Sequence, residues 1–320
     1  MTMPPGRLAT FLLLATALTP VSALAQSATV KDAAGREVVV GDNARTVSVG
    51  GSITEILYEL GADQRIVAVD STSQFPPRAL TEKKNVGYMR ALSPEGVLGV
   101  VPSLILVLQG SGPPQALSVL ESAGVPMVVV GDEFTGEGIL SKVRLVAKAM
   151  RLEGRGQCLA SRVARDLQTL AQWRAGISKP LRVVFVLSFV NGRAMVAGSK
   201  TAADGIIRMA GAVNAVDQFE GYKQLEDESI VAARPDAVLV MVRSGAEPLT
   251  AKEVFAHPGF ALSPAALRKA FVAMDSLYLL GFGPRTAAAA RDLARKLYPD
   301  LEAPQTIGAA PTPAIVACDQ

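Results

Sequence analysis

Apolar positions fall in short blocks along the chain, most of them followed by a turn and then by a stretch of helical period. Asp32-Ala33-Ala34-Gly35-Arg36-Glu37 leading into Val38-Val39-Val40 reads as a turn feeding a short strand. Thr46-Val47-Ser48-Val49 predicts a second strand, Gly50-Gly51-Ser52-Ile53-Thr54-Glu55 a glycine turn that opens a helix, and Arg65 to Val69 the next strand. Ser52 and Glu55 have the spacing of a capping box, and Gly61 stands where a left-handed glycine would stop the helix. Strand, helix and strand at this spacing form a βαβ unit with a parallel sheet. The same order returns in Leu104 to Leu108, Gly112-Pro113-Pro114, a helix to about Ala123, and Val125 to Val130.

Between Ile139 and Ala175 the alternation stops. The stretch is rich in Ala, Leu and Arg and helical in period, with Gly154 and Gly156 interrupting it. It predicts a helix to about Met150 and a longer one from about Arg155 to Ala175, with Trp173 packing near its end. Beyond Lys179-Pro180 the α/β grammar restarts: strand Leu181 to Leu187, helix Thr201 to Ala210 ended by Gly211, strand Ala237 to Val242, helix Ala265 to Ala270, strand Val272 to Met274. Gly281-Phe282-Gly283-Pro284-Arg285-Thr286 opens a last helix that ends near Tyr298-Pro299, and an Ala/Pro/Thr-rich tail follows.

The ends and the charge narrow the class. Arg7, the apolar run Leu8 to Leu18 and Ala23-Leu24-Ala25 before Gln26 fit a cleaved export signal. The run is too short for the ~20 residues that span a bilayer. The formal charge of +3 is too small to point to nucleic acid. Cys158, in a predicted helix, and Cys318, near the end, have no metal-site spacing, and their positions argue against a structural disulfide. His257 is the only histidine, which removes most histidine-based metal sites and the familiar catalytic triads. No nucleophile–base pair or paired-carboxylate motif marks an enzyme.

One stretch concentrates chemistry. Gly87-Tyr88-Met89-Arg90-Ala91-Leu92 sets a phenol and a guanidinium just ahead of Ser93-Pro94-Glu95, a helix start with Ser as N-cap and Pro at N1. A weak internal repeat accompanies it. Glu95 stands seven residues before Pro102 and the block Leu104 to Val107, and Glu228 stands seven before Pro235 and the block Ala237 to Val240. Gly221-Tyr222 and Leu225 echo Gly87-Tyr88 and Leu92. The repeat implies two similar lobes.

Two lobes, a helical connector and an export signal together resemble the periplasmic binding proteins of bacterial ABC importers, more narrowly the helical-backbone class (class III) that carries cobalamin, siderophores and haem. The Gly87-to-Leu92 motif, with Gly281 to Thr286, resembles the haem-binding members. The fold so implied is α/β: two Rossmann-like lobes with mostly parallel sheets joined by a long backbone helix. Its boundaries are a signal over 1–25, lobes over 30–150 and 179–300, a connecting helix over 151–178, and a flexible tail over 301–320.

The resemblance implies Tyr88 as axial ligand of ferric haem iron, Arg90 as its supporting charge, and no enzymatic activity. Ferric iron is hard and favours an anionic oxygen, and iron itself displaces a phenolic proton that otherwise titrates near ~10. The porphyrin is then expected between the lobes. Candidate contacts are Gly50, Gly51, Ser52, Phe75 and Gln109-Gly110-Ser111 on the first lobe, and Phe189, Met195, Tyr222, Arg243 and Phe282 on the second. Arg78 or Arg243 is expected to pair with a propionate. Some members of that class bring a second-lobe histidine to the haem from a loop that here reads Ser188-Phe189-Val190-Asn191-Gly192, so the iron is expected to be five-coordinate through Tyr88, or to take a sixth ligand other than histidine, with Tyr222 a second oxygen contact. Glu95 and Glu228 match the positions that dock on arginines of a membrane permease, whose ATPase subunit is met only indirectly. An outer-membrane haem receptor stands upstream, and the location is the periplasm. A ferric siderophore or cobalamin is the alternative cargo, and an exported enzyme or an interaction module the more distant reading.

Overall fold

The computed structural model describes residues 1–2, 27–243 and 245–308. The export signal expected over 1–25 lies almost wholly outside them, as does the tail from residue 309.

Five parallel strands form the first sheet, in the spatial order Lys84–Asn85, Ile66–Val69, Thr46–Val49, Leu104–Leu108, Met127–Val130. Every residue of Thr46–Val49 and Leu104–Leu108 is buried. Leu104–Leu108 is the unbroken apolar strand that a parallel sheet covered on both faces favours, and in Thr46–Val49 the buried hydroxyls are partnered, Thr46 Oγ1 donating to Asn43 O at 2.9 Å and Ser48 Oγ lying 2.7 Å from Thr54 Oγ1. An antiparallel hairpin, Ala28–Lys31 with Glu37–Val40, precedes the sheet.

In the second sheet Arg182–Val190, Ala237–Val242 and Phe271–Asp275 run parallel side by side. Two strands absent from the sequence reading extend it: Arg193–Ala197 turns back antiparallel on Arg182–Val190, and Tyr222–Leu225 pairs antiparallel with Arg193–Ala197. Val213–Asn214 adds a short parallel bridge to Arg182–Val190.

The connecting segment is two helices, Gly136–Ala149 and Glu153–Arg174. Their break lies at Met150 to Leu152, where Arg151 turns left-handed at φ 56°. Gly154 and Gly156, expected to interrupt the helix, sit inside it. At Gly156 a Cβ would come within 2.2 Å of the Ala147 Cβ, so the absence of a side chain lets the two helices close on each other.

Two expectations fail at the C-terminal end. The tail is not loose over 301–308: Ile307 is fully buried, Trp173 Nε1 donates to the Glu302 carbonyl at 2.8 Å, and the Gly308 amide donates to Asp166 at 3.3 Å. Cys158 is disulfide-bonded rather than free. No helix among the described residues is long and apolar enough to cross a membrane.

Candidate functional site

In open α/β sheets ligands bind outside the carboxyl ends of the strands. In the first lobe those ends lead to Gly50, Ser71 to Phe75, Gly87 to Leu92 and Gln109 to Gly112; in the second they lead to Arg243 and to Asp275 to Tyr278. Of the sequence-expected residues, Gly50, Phe75, Tyr88, Arg90, Gln109 and Arg243 lie at these strand ends. A separate groove of about 880 Å³, lined by Leu181, Asp236, Lys269 and Lys296 among others, lies at the opposite, amino ends of the second-lobe strands.

Tyr88 stands on a loop whose backbone is tied down on both sides. The edge strand Lys84–Asn85 continues into Val86, whose amide donates to Val69 O at 2.9 Å. Gly87 then turns at φ 96°, a conformation that costs glycine nothing, and its carbonyl accepts from the Ser71 amide at 2.8 Å. The Ala91 amide closes a turn on Tyr88 O at 2.8 Å. Gly112 clamps the loop from the next strand end: its amide donates to Met89 O and its carbonyl accepts from the Leu92 amide, both at 2.9 Å. Val86, Met89 and Leu92 are buried beneath this loop, so Tyr88 and Arg90 are left pointing outward, Tyr88 with 47% of its surface exposed. Alternation of apolar anchors with a phenol and a guanidinium produces the presentation.

Tyr222 is the second lobe's counterpart. It too follows a left-handed glycine, Gly221 at φ 77°, whose carbonyl accepts from the Gly198 amide at 2.7 Å. Its ring meets Phe185 edge to face at 6.5 Å. Burial pushes the Tyr222 phenol up, and the positive charge of Arg90 pulls it partly back. A first-lobe guanidinium thus acts on a second-lobe phenol, although Tyr222 itself remains 43% exposed to solvent.

The floor of the cleft is a lobe–lobe contact that sequence reasoning missed. Glu55, fully buried, receives Arg285 Nη2 at 2.9 Å and the Arg285 amide at 3.1 Å. Its carboxyl is pushed up chiefly by burial, and Arg285 opposes that shift. The guanidinium of Arg285 lies 3.5 Å over the Phe75 ring and 5.1 Å from that of Tyr278. Gln74, Phe75, Asp275, Leu277, Tyr278 and Arg285 enclose a cavity of about 340 Å³ here. The expected Ser52–Glu55 capping box does not form. Helix Gly51–Glu59 has Gly50 as N-cap without a side-chain bond, Ser52 Oγ takes Lys142 Nζ at 3.2 Å, and Glu55 is committed to Arg285. Lys142 is itself fully buried and reaches Asp132 at 2.7 Å.

The remaining candidates divide. Gly50, Gly51 and Ser52 are buried and build the floor, with the Gly50 amide given to Asp70 at 2.8 Å and the Gly51 amide to Thr72 at 2.9 Å. Phe75 carries Arg285, and Gln109 and Gly110 are exposed at the mouth beside half-buried Ser111. Phe282 departs from its expected place: it is 1% exposed, turned inward at φ 48°, and packs edge to face on Phe134 at 5.2 Å. Phe189 is stacked on His257 at 4.7 Å within the second lobe. His257 is engaged further, its Nε2 2.7 Å from Gly192 O. Arg78 turns back over the Tyr58 ring at 4.8 Å and toward Asp63 at 3.6 Å. Met195 is half-buried on its strand, and Arg243 is exposed at the cleft with no ion pair among the described residues.

Glu95 and Glu228 are both exposed in the first turn of short helices, Pro94–Leu98 and Asp227–Ala233, with no ion pair among the described residues. Among the described residues no group of three or more His, Cys, Asp or Glu side chains comes together to hold a metal ion.

Comparison with known proteins matches residues 46–278 to the family described as periplasmic binding protein. Among solved structures, the periplasmic heme-binding protein BhuT in complex with two hemes superposes with a TM-score of 0.74 at 36% identity, covering 81% of this chain and 99% of its own. Among curated proteins, the uncharacterized ABC transporter substrate-binding lipoprotein YvrC of Bacillus subtilis is 25% identical over 85% of this chain and 86% of its own. The vitamin B12-binding protein of Pectobacterium atrosepticum is 24% identical over 61% of this chain and 71% of its own.

Proposed function

The chain belongs to the periplasmic binding protein family, and from that premise we propose that it captures ferric haem between its lobes through the Tyr88 phenolate and passes it to a membrane permease. Proteins of this kind are substrate-binding components of ABC importers and not enzymes. The observation that carries the cargo assignment is the clamped loop, which buries Met89 and Leu92 and leaves Tyr88 outward beside the fixed charge of Arg90. A phenolate binds ferric iron as a hard anionic donor, and a neighbouring guanidinium favours the deprotonated form. The 36% identity to a heme-binding protein over nearly that protein's full length supports the same reading.

Arg90 stabilises the Tyr88 phenolate and orients Tyr222, whose phenol is the second lobe's oxygen contact toward the iron. Arg243 takes a propionate, a role for which Arg78 is less suited because it is turned toward Tyr58 and Asp63. Glu95 and Glu228, one per lobe, meet cations of the permease. In this reading the chain works in the periplasm, with residues 1–25 serving as its export signal, and its family is what supports that location.

Cobalamin is the second reading, favoured by the vitamin B12-binding relative. Equilibrium titration with hemin, cyanocobalamin and a ferric hydroxamate, followed through Trp173 fluorescence and ligand absorption, separates the cargoes. Saturable binding of hemin alone is expected. Saturation by cyanocobalamin or the hydroxamate with none by hemin overturns the haem assignment.

A further inference from the structure

The two lobes repeat one surface unit down to individual hydrogen bonds. In the first lobe the Ser103 amide donates to Arg45 O at 2.9 Å, and the Arg45 amide donates to Ser103 Oγ at 3.0 Å. In the second the Asp236 amide donates to Arg182 O at 2.7 Å, and the Arg182 amide donates to Asp236 Oδ2 at 3.0 Å. Each of these arginines sits at the start of its lobe's central strand and reaches over the C-terminus of a short helix. Arg45 Nε donates to Val101 O at 2.8 Å, and Arg182 Nε donates to Ala233 O at 2.9 Å. Those helices carry Glu95 and Glu228 in their first turns, and Val97 and Ile230, two residues on, are buried beneath them. Both glutamates are followed six residues later by a left-handed residue, Val101 at φ 50° and Arg234 at φ 45°, and then by a buried proline, Pro102 or Pro235.

Val101 breaks two rules at once. A β-branched residue in the left-handed region is a true conformational outlier, and this one also leaves 71% of an apolar side chain in water. Arg45 Nε holds the Val101 carbonyl while the side chain stays in water. A strained conformation kept at an exposed tip points to a contact made elsewhere.

We propose that each lobe grips the membrane partner with a glutamate and the left-handed tip six residues beyond it, so that Val101 and Arg234 are contact residues together with Glu95 and Glu228. This rests on the docking role given to the two glutamates. On the first lobe the unit pairs a carboxylate with an aliphatic knob, which suits a partner cation beside an apolar socket. On the second it pairs a carboxylate with a guanidinium, which suits a partner patch carrying both charges. The shared scaffold lets both lobes meet like subunits of a two-fold partner, and the differing tips make the two lobes distinguishable to it.

The test uses full-length hemin-loaded protein and the permease–ATPase complex that accepts its cargo, held in lipid nanodiscs. The readout is the protein concentration giving half-maximal stimulation of ATP hydrolysis. Asparagine adopts the left-handed conformation readily, so Val101→Asn and Arg234→Asn remove the tips without disturbing the turn. Each is expected to raise the half-maximal concentration about tenfold, as losing one interface anchor does. The hemin spectrum stays unchanged, and the melting temperature of Val101→Asn is no lower than that of the wild type. Glu95→Ala with Glu228→Ala is expected to raise that concentration as well. If the glutamate pair raises it and neither asparagine variant does, the tip proposal is overturned and docking through the glutamates stands. If the glutamate pair also leaves it unchanged, the docking reading itself fails.

Discussion

Arg90 of the first lobe and Tyr222 of the second are electrostatically joined across the cleft: the guanidinium opposes the upward push that burial gives the phenol. The same guanidinium lies two residues along the chain from Tyr88.

Removing that charge has a defined sign. With Arg90→Gln only the burial effect remains, and the Tyr222 phenol titrates at higher pH than in the wild type. Ultraviolet titration of the apo protein, with Tyr222→Phe subtracted to isolate the one phenol, measures the shift. A downward shift, or none, contradicts the coupling.

The Glu55–Arg285 bond is nearly dry on the Glu55 side. Glu55→Ala leaves the Arg285 guanidinium and amide without their acceptor, and is expected to cost about 3 kcal/mol of unfolding free energy. The pH dependence follows from the direction of the Glu55 shift. Its folded-state pKa lies above the ordinary 4.5, so its contribution is fully present below that value and is lost as pH rises through the folded-state pKa. Urea unfolding of wild type and Glu55→Gln across a pH series should therefore show the wild type losing stability relative to the variant as pH rises from 4.5. A relative gain over that range contradicts the assignment.

Gly51 sits where the lobes are packed against each other. A Cβ there would stand 2.3 Å from Thr72 O and 2.6 Å from Leu277 Cδ1, the first a backbone atom and the second a side chain of the other lobe. Gly51→Ala is expected to destabilise by roughly 1–3 kcal/mol and to push the lobes apart. Thermal unfolding reads the first effect and the small-angle scattering radius the second. A variant with unchanged melting and radius contradicts this packing.

Much of the architecture was legible because parallel strands buried on both faces announce themselves as apolar runs. Leu104–Leu108 and Ala237–Val242 are of that type. Arg193–Ala197 and Tyr222–Leu225 were missed because they are an antiparallel extension, and Lys223 and Gln224 interrupt any hydrophobic run. The exposed Tyr88 loop and the helix start at Ser93 were readable locally, since phenol, guanidinium and helix start are contiguous. Glu55 was misread for the same reason: its spacing from Ser52 mimics a local cap, while its partner Arg285 lies 230 residues away and leaves no local sign. Phe282 stood in a glycine-flanked motif that put it among the expected porphyrin contacts, but its left-handed backbone turns the ring into the lobe–lobe packing.

The central claim rests on one oxygen, and Tyr88→Phe removes that oxygen while keeping the ring. Absorption and resonance Raman spectra of the ferric hemin complex, taken with a binding isotherm, compare the two proteins. The account predicts a phenolate-to-iron charge-transfer band in the wild type that disappears in Tyr88→Phe, together with a weaker affinity for hemin. An identical spectrum and affinity in the variant would contradict it.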